Sequence, residues 1–228
     1  FSEVSSSIFQ PTSHLFIPCP NARYNVDTLR DTFVPFTTLG KQATDAYYAI
    51  GVFIGVVIRH GLPQALPFAP FVWKAIAGET IGIYDVLLVD ERLKLHLDRL
   101  RSAKNDADFV SKLELTWTVE NWDGSIIRLS GANRVGYVTG DRVEEYIDAC
   151  ITERLAYIQP HLAHIRRGFT TNVGFDTHPL LTAGVLSMMA NGTNIVTTAQ
   201  LKQITSFSGF TGNNIKPISN FWAAVDQM

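Results

Sequence analysis

Apolar positions along this chain recur with helical spacing in some stretches and with period two in others. The longest apolar stretch is Asp45 to Gly61, DAYYAIGVFIGVVIRHG. Ala46 to Ile58 carries no charge and has apolar residues on every face. A helix of that kind is buried all round. Thr44 is placed to cap its first turn, Asp45 to face the positive end of the dipole, and Gly61 to take the left-handed position after the last turn. Gly51 and Gly55, four apart on one face, would let a neighbouring helix pack closely. The uncharged run is too short for a membrane span, which needs ~20 apolar residues. The expectation is a central helix with the rest of the domain packed round it.

Before that helix, Phe1 to Phe9 reads as the last turns of a helix whose start is missing. Pro11, Pro18 and Pro20 enforce an extended segment, and Asn21 to Leu39 reads as a loop anchored by Tyr24, Phe33 and Phe36. After it, Pro70 can start a short helix, Phe71 to Ala77, which Gly78 ends. Asp90 can cap the next helix, whose Leu93, Leu97 and Leu100 fall on one face, the pattern of a core stripe. Ser102 to Asp108 is a polar break. Leu113 to Val119 alternates with period two and is expected as a strand, with an Asp123-Gly124 turn and a return strand over Ile126 to Leu129. A further strand could cover Val135 to Val138.

Asp141 to Ile158 is expected as an amphipathic helix with Asp141 and Glu144 at capping-box spacing. Pro160 to Arg167 reads as another helix, ended by Gly168. Thr182 to Ala190, Thr198 to Ser206 and Ser219 to Met228 complete the helices, with Gly209 to Asn214 as a loop between the last two.

With 228 residues, 46% hydrophobic and 18% charged, the chain is long enough to bury a sizeable core. A net charge of −2 gives no electrostatic reason to expect nucleic acid or an anionic membrane as partner. Phe1 to Ile8 has no basic segment and is not a signal peptide; it reads as part of something longer. Cys19 and Cys150 make neither a metal spacing nor a disulfide framework, which fits a reducing, intracellular setting, cytoplasmic or nuclear.

The chemistry-bearing residues make no active site by spacing. Cys19 lies between prolines, and Cys150 falls on an apolar helix face. His161 and His164 are three apart on a helix with no acidic or cysteine partner at ligand spacing, so no metal and no cofactor are expected. Phosphate-binding glycine loops are absent. An unrelated helical hydrolase using His161 or His164 would need a metal requirement or a His→Ala effect to support it.

A set of segments, in order over nearly the whole chain, carries a family resemblance. They are LFIPCPN (Leu15 to Asn21), IGVFIGVVIRHGLPQALPFAPFVWKAIAGE (Ile50 to Glu79), Asp85 with Asp90, VTGDRVEEYI (Val138 to Ile147), RRGF (Arg166 to Phe169), ANG (Ala190 to Gly192) and NFW (Asn220 to Trp222). Together they resemble the N-terminal lobe of a HECT-type ubiquitin ligase domain of the HERC-like kind. The departures are Gly131-Ala132 for a Gly-Gly pair, Asp141-Arg142 where the family has an Asn and an Arg, Ala183-Gly184 for an acidic helix start, and Ala103 for an aromatic.

The resemblance implies an α+β, mainly α fold. A large helical subdomain (1–83 and 147–228) would hold a small strand-containing subdomain (84–146) between its two parts. It implies a ligase that takes ubiquitin from an E2 thioester onto a HECT cysteine and then onto a lysine of a protein substrate. That cysteine sits in a C-terminal lobe in a His-Thr-Cys context that does not occur here, so this piece is expected to recruit E2 and to be inactive alone. The family's E2 groove falls on Leu93, Leu97, Leu100, Leu113 and Tyr146. The competing implication is a HECT-derived scaffold that has lost catalysis.

Overall fold

A computed structural model describes residues 1–36, 40–131, 136–174, 181–193, 197–209 and 216–226. The fold is α+β and mainly α. In chain order the elements are α1 (Ser2–Ile8), β1 (Phe16–Pro18), α2 (Pro20–Tyr24), β2 (Phe33–Pro35), α3 (Lys41–His60), α4 (Pro70–Ala77), α5 (Ile83–Leu87), α6 (Glu91–Ala103) and α7 (Ala107–Lys112). They continue with β3 (Thr118–Glu120), β4 (Ile126–Arg128), α8 (Val143–Val173), α9 (Ala183–Asn191), α10 (Thr198–Ile204) and α11 (Lys216–Val225). Two antiparallel pairs make the strands: β1 with β2, Ile17 opposite Val34, and β3 with β4, Val119 opposite Ile127.

The central helix starts earlier than its pattern predicts. Gly40 is the cap residue, and the Thr44 hydroxyl donates to the Lys41 carbonyl inside the helix instead of capping it. Gly61 ends it at φ 60°, in the left-handed region expected of it. Its burial is one-sided, through Tyr47, Ile50, Gly51, Ile54, Gly55 and Val57, while Val52, Phe53 and Val56 are only half-buried. The apolar residues on the second face are covered in part by other segments, as where Phe1 stacks on Phe53 at 5.9 Å.

The element that ties Phe1–Gly192 together is α8. Sequence pattern divides it at Pro160 and again at Gly168, yet it is one helix of 31 residues. Proline removes one backbone donor and crowds the carbonyl four residues back. Pro160 and Ala156 are both exposed, so water can take that carbonyl. Gly168 is a site of close approach to α3, and the helix ends instead at Gly174, φ 84°. The expected capping box at Asp141 is not formed: Gly140–Arg142 is a 3-10 turn, and Arg142 precedes α8 without a side-chain cap.

Phe1 to Gly192 forms one compact unit and Thr193 to Met228 another. The first holds two hydrophobic clusters. One gathers Tyr47, Ile54, Phe71, Ile76, Trp122, Ile158, Ile165 and Phe169. The other gathers Leu93, Leu97, Leu100, Val110, Trp117, Val119, Tyr146 and Cys150. The first part of α8 serves the second cluster and its later part the first. In the unit from Thr193, Thr197 and Gln200 make a reciprocal cap on α10, and Phe207, Phe221 and Trp222 make edge-on ring contacts.

The middle of the chain departs most from its pattern. Leu113 does not open a strand. It closes α7, a helix capped by the Asp106 carboxylate, which accepts from the Phe109 amide at 3.0 Å. Glu114 then turns the chain at φ 45°, and the ladder starts only with a Thr116–Tyr137 bridge and β3. The Asp123-Gly124 turn does join β3 to β4, with Gly124 at φ 90°. Val135, part of the expected third strand, lies outside the described residues. At the N-terminal side, Pro20 starts a short helix and Phe33–Pro35 pairs with Phe16–Pro18, where the pattern showed only a loop.

Candidate functional site

The second hydrophobic cluster is built on α6. Its first turn is held by side chains from three directions. The Asp90 carboxylate accepts from the Leu93 amide at 3.0 Å, the N-cap that the sequence predicts. Asn21, fully buried, accepts from the Glu91 amide at 2.8 Å and donates to the carbonyls of Thr28 and Leu88 at 3.0 and 3.2 Å. Arg154 of α8 donates to the other Asp90 oxygen. At the far end of α6, Glu144 of α8 takes Lys104 at 3.0 Å and lies 3.6 Å from Arg101. The helix therefore runs antiparallel along the first part of α8.

Leu93, Leu97 and Leu100 all point inward, with 8%, 1% and 1% exposure. Tyr146 joins them at 3% and donates its hydroxyl to the Thr118 carbonyl at 2.9 Å, which ties α8 to β3. Burial holds the Tyr146 phenol far above its ordinary pKa, with Cys150 adding to the shift. Four of the five residues expected at the site are thus brought together, as the interior of this cluster. The fifth, Leu113, is 44% exposed at the end of α7.

Phe109, four residues before Leu113, is 42% exposed. The spacing puts both on one side of α7, and the buried Val110 between them anchors the helix in the cluster. Spacing rules did not single out Phe109. The available signal was an aromatic at the third position after a capping Asp106, within a polar run. Nearby, Thr116, Trp117, Thr118, Arg128, Gly136 and Tyr137 line an open cleft of about 560 Å³. The Arg142 guanidinium lies 4.4 Å over the Trp117 ring.

The thiols offer no surface chemistry. Cys19 and Cys150 are both fully buried, and the Cys19 thiol donates to the Leu29 carbonyl at 3.3 Å. His161 is buried between the Tyr47 and Tyr157 rings, at 5.1 and 5.4 Å, and His164 is half-buried. Among the described residues no group of three His, Cys, Asp or Glu side chains is placed to hold a metal ion. No helix among them is long and apolar enough to cross a membrane.

The family model described as HECT-domain (ubiquitin-transferase) matches residues 2–228. The chain belongs to the HECT family. Among curated proteins, the E3 ubiquitin-protein ligase HERC2 of Homo sapiens is 25% identical over 226 residues, covering 99% of this chain and 5% of that protein. HERC2 of Mus musculus is 27% identical over 231 residues, with the same coverage of both. The probable E3 ubiquitin-protein ligase HUL4 of Eremothecium gossypii is 21% identical over 238 residues, covering 100% of the chain and 28% of its own length. The chain therefore spans a small part of each of these relatives. Within this HECT domain, several family-like segments coincide with buried or part-buried hydrogen bonds. Asn21 and Asp90 set the start of α6, and Asn191 accepts from the Leu66 amide at 2.7 Å.

Proposed function

We propose that this HECT chain is the E2-docking part of an E3 ubiquitin ligase, and that α7 and the residues just after it carry the contact. The observation that carries this reading is the pairing of a closed leucine core under α6 with the exposed Phe109 and Leu113 beside it. A core that is already packed cannot also receive a partner's side chain, so the leucines and Tyr146 support the surface from below. Leu113 then meets the E2 directly. Two half-exposed apolar side chains with Lys112 and Glu114 as polar neighbours suit a small, readily broken contact. That suits an E2 which has to leave once it has given up its ubiquitin.

In the transfer itself, an acceptor thiolate attacks the thioester carbonyl between E2 and ubiquitin. The E2 thiolate leaves; a substrate lysine amine then attacks the new thioester, forming an isopeptide bond as the acceptor thiolate leaves and the amine gives up a proton to solvent. Thiolate and access are both needed for such a step. Cys19 and Cys150 have neither, so on this reading the acceptor cysteine comes from outside Phe1–Met228 and the chain alone forms no thioester.

An amide hydrogen-exchange footprint with and without saturating E2 tests the contact. Slowed exchange over Phe109–Trp117 is the expected outcome. Slowed exchange confined to other elements would remove α7 from the contact.

A further inference from the structure

Arg154 leaves α8 where the two hydrophobic clusters meet, between Ile151 on one side and Ile158 on the other. Its side chain is 2% exposed and that of Asp90 5%. The guanidinium carbon lies 4.3 Å from the Trp122 ring, and the Trp122 indole donates to the Arg154 carbonyl at 3.2 Å. One guanidinium nitrogen serves Asp90, while Nε and Nη1 have no hydrogen-bond partner among the described residues. Burial and the nearby Arg23 both push the Arg154 pKa down.

Such a pair is a poor way to gain stability. The desolvation of two buried charges can exceed their attraction, and apolar side chains of equal volume often hold a core as well or better. Two buried donors left without partners add to the cost. What the pair does supply is a fixed point. The carboxylate that receives Arg154 also caps α6, through the Leu93 amide at 3.0 Å. Asn21 takes the amide two residues earlier, at Glu91, from the side of α2. Toward its other end the ion pairs that join α6 to α8 among the described residues, Lys104–Glu144 and Arg101–Glu144, have side chains 43–48% exposed, and exposed pairs hold little.

We infer that Arg154 is a positioning residue for the E2-docking surface. Through Asp90 it sets where α6 begins and its register against α8. Because α7 follows α6 directly, Arg154 thereby places the exposed Phe109 and Leu113. The inference rests on the E2-docking reading for its functional half and on the Asp90 geometry for its structural half.

Two variants of the intact protein separate positioning from stability. Arg154→Met strands the Asp90 charge in apolar surroundings. Asp90→Asn with Arg154→Met removes both charges and keeps a capping side chain, since asparagine caps as well as aspartate. The single variant is expected to unfold at lower temperature, to exchange its Leu93 amide faster, and to bind E2 about tenfold more weakly. The double variant is expected to recover most of the unfolding temperature while the Leu93 amide stays fast and E2 binding stays weak. The probe is whichever member of an E2 panel the unaltered protein binds most tightly. A double variant that recovers E2 affinity and slow Leu93 exchange along with its stability would overturn the inference. If the unaltered protein binds no E2 at all, the docking reading fails, and Leu93 exchange in the double variant alone decides whether Arg154 positions α6.

Discussion

Gly51 of α3 and Gly168 of α8 stand where the two helix backbones come into contact. A methyl group on Gly51 would lie 1.9 Å from the Ile165 carbonyl oxygen, and one on Gly168 would lie 1.9 Å from that of Tyr48. The contacts rise together along both helices: Tyr47 meets His161, Gly51 meets Ile165, and Gly55 meets Asn172. The helices therefore run in the same direction, and Arg59 near the end of α3 donates to the Asn172 carbonyl at 3.0 Å.

Alanine at either glycine has two opposed effects. It gains about 1 kcal/mol of helix propensity. It also pushes a Cβ into a neighbouring backbone, and overpacking of that kind costs about 1–3 kcal/mol or more. The clash wins, because a backbone carbonyl cannot step aside as a side chain can. Gly51→Ala and Gly168→Ala are each expected to lower the denaturant midpoint clearly. Gly55→Ala is expected to be milder, since the nearest atom, at 2.7 Å, belongs to the Asn172 side chain. Chemical denaturation of the three variants checks the order.

The sequence made the α3 half of this contact legible, because Gly51 and Gly55 share a face of an apolar helix. It hid the other half. Gly168 follows Pro160 in a segment whose polar residues break the apolar rhythm, and glycine after proline reads as a helix end. Nothing local says that solvent can satisfy the carbonyl freed by Pro160, because exposure is a tertiary property. The same limit applies to Leu113. Alternation through Trp117 and Val119 is real, and both are buried, at 2% and 5%. Carried back to Leu113, it runs across the end of a helix that Asp106 caps. Of the caps expected from sequence, Asp90 does cap α6, while Thr44 and Asp141, expected to cap the two longest helices, cap neither. The resemblance supplied five site residues by position. It carried no information on which of them face inward.

Trp122 belongs to the first cluster, although it sits in the hairpin whose strands serve the second. It is fully buried, packs on Phe71 at 5.7 Å, and donates its indole N–H to the Arg154 carbonyl. Trp122→Ala is expected to cost about 3–5 kcal/mol. Trp122→Phe keeps most of the volume but leaves the Arg154 carbonyl without this donor, a loss of about 1–3 kcal/mol where the carbonyl stays dry. Thermal unfolding of the two variants measures both steps.

His96, on α6 opposite the Tyr146 ring at 6.2 Å, is held below its ordinary pKa of 6.5, first by burial and then by Arg99. The unfolded chain therefore takes up the proton first as the pH falls. Stability from this group is fully present above about pH 6.5 and is lost as the pH drops from there toward the folded-state value. His96→Gln is expected to flatten the dependence of the unfolding midpoint on pH between about 7 and 5. An unchanged slope would mean that other groups set it.

On the proposed reading, the leucine core under α6 supports a surface whose contact residue is Leu113. That reading is tested most directly by titrating an E2 panel against the unaltered protein, Leu113→Asp and Leu97→Ala, at a temperature where all three are folded. Leu113→Asp is expected to keep its unfolding temperature and lose at least about tenfold in affinity, as a contact hot spot does. Leu97→Ala is expected to lose about 2–5 kcal/mol of stability and to bind nearly as well. Full affinity in Leu113→Asp would rule Leu113 out as the contact residue, and an unaltered protein that binds no E2 in the panel would rule out E2 docking.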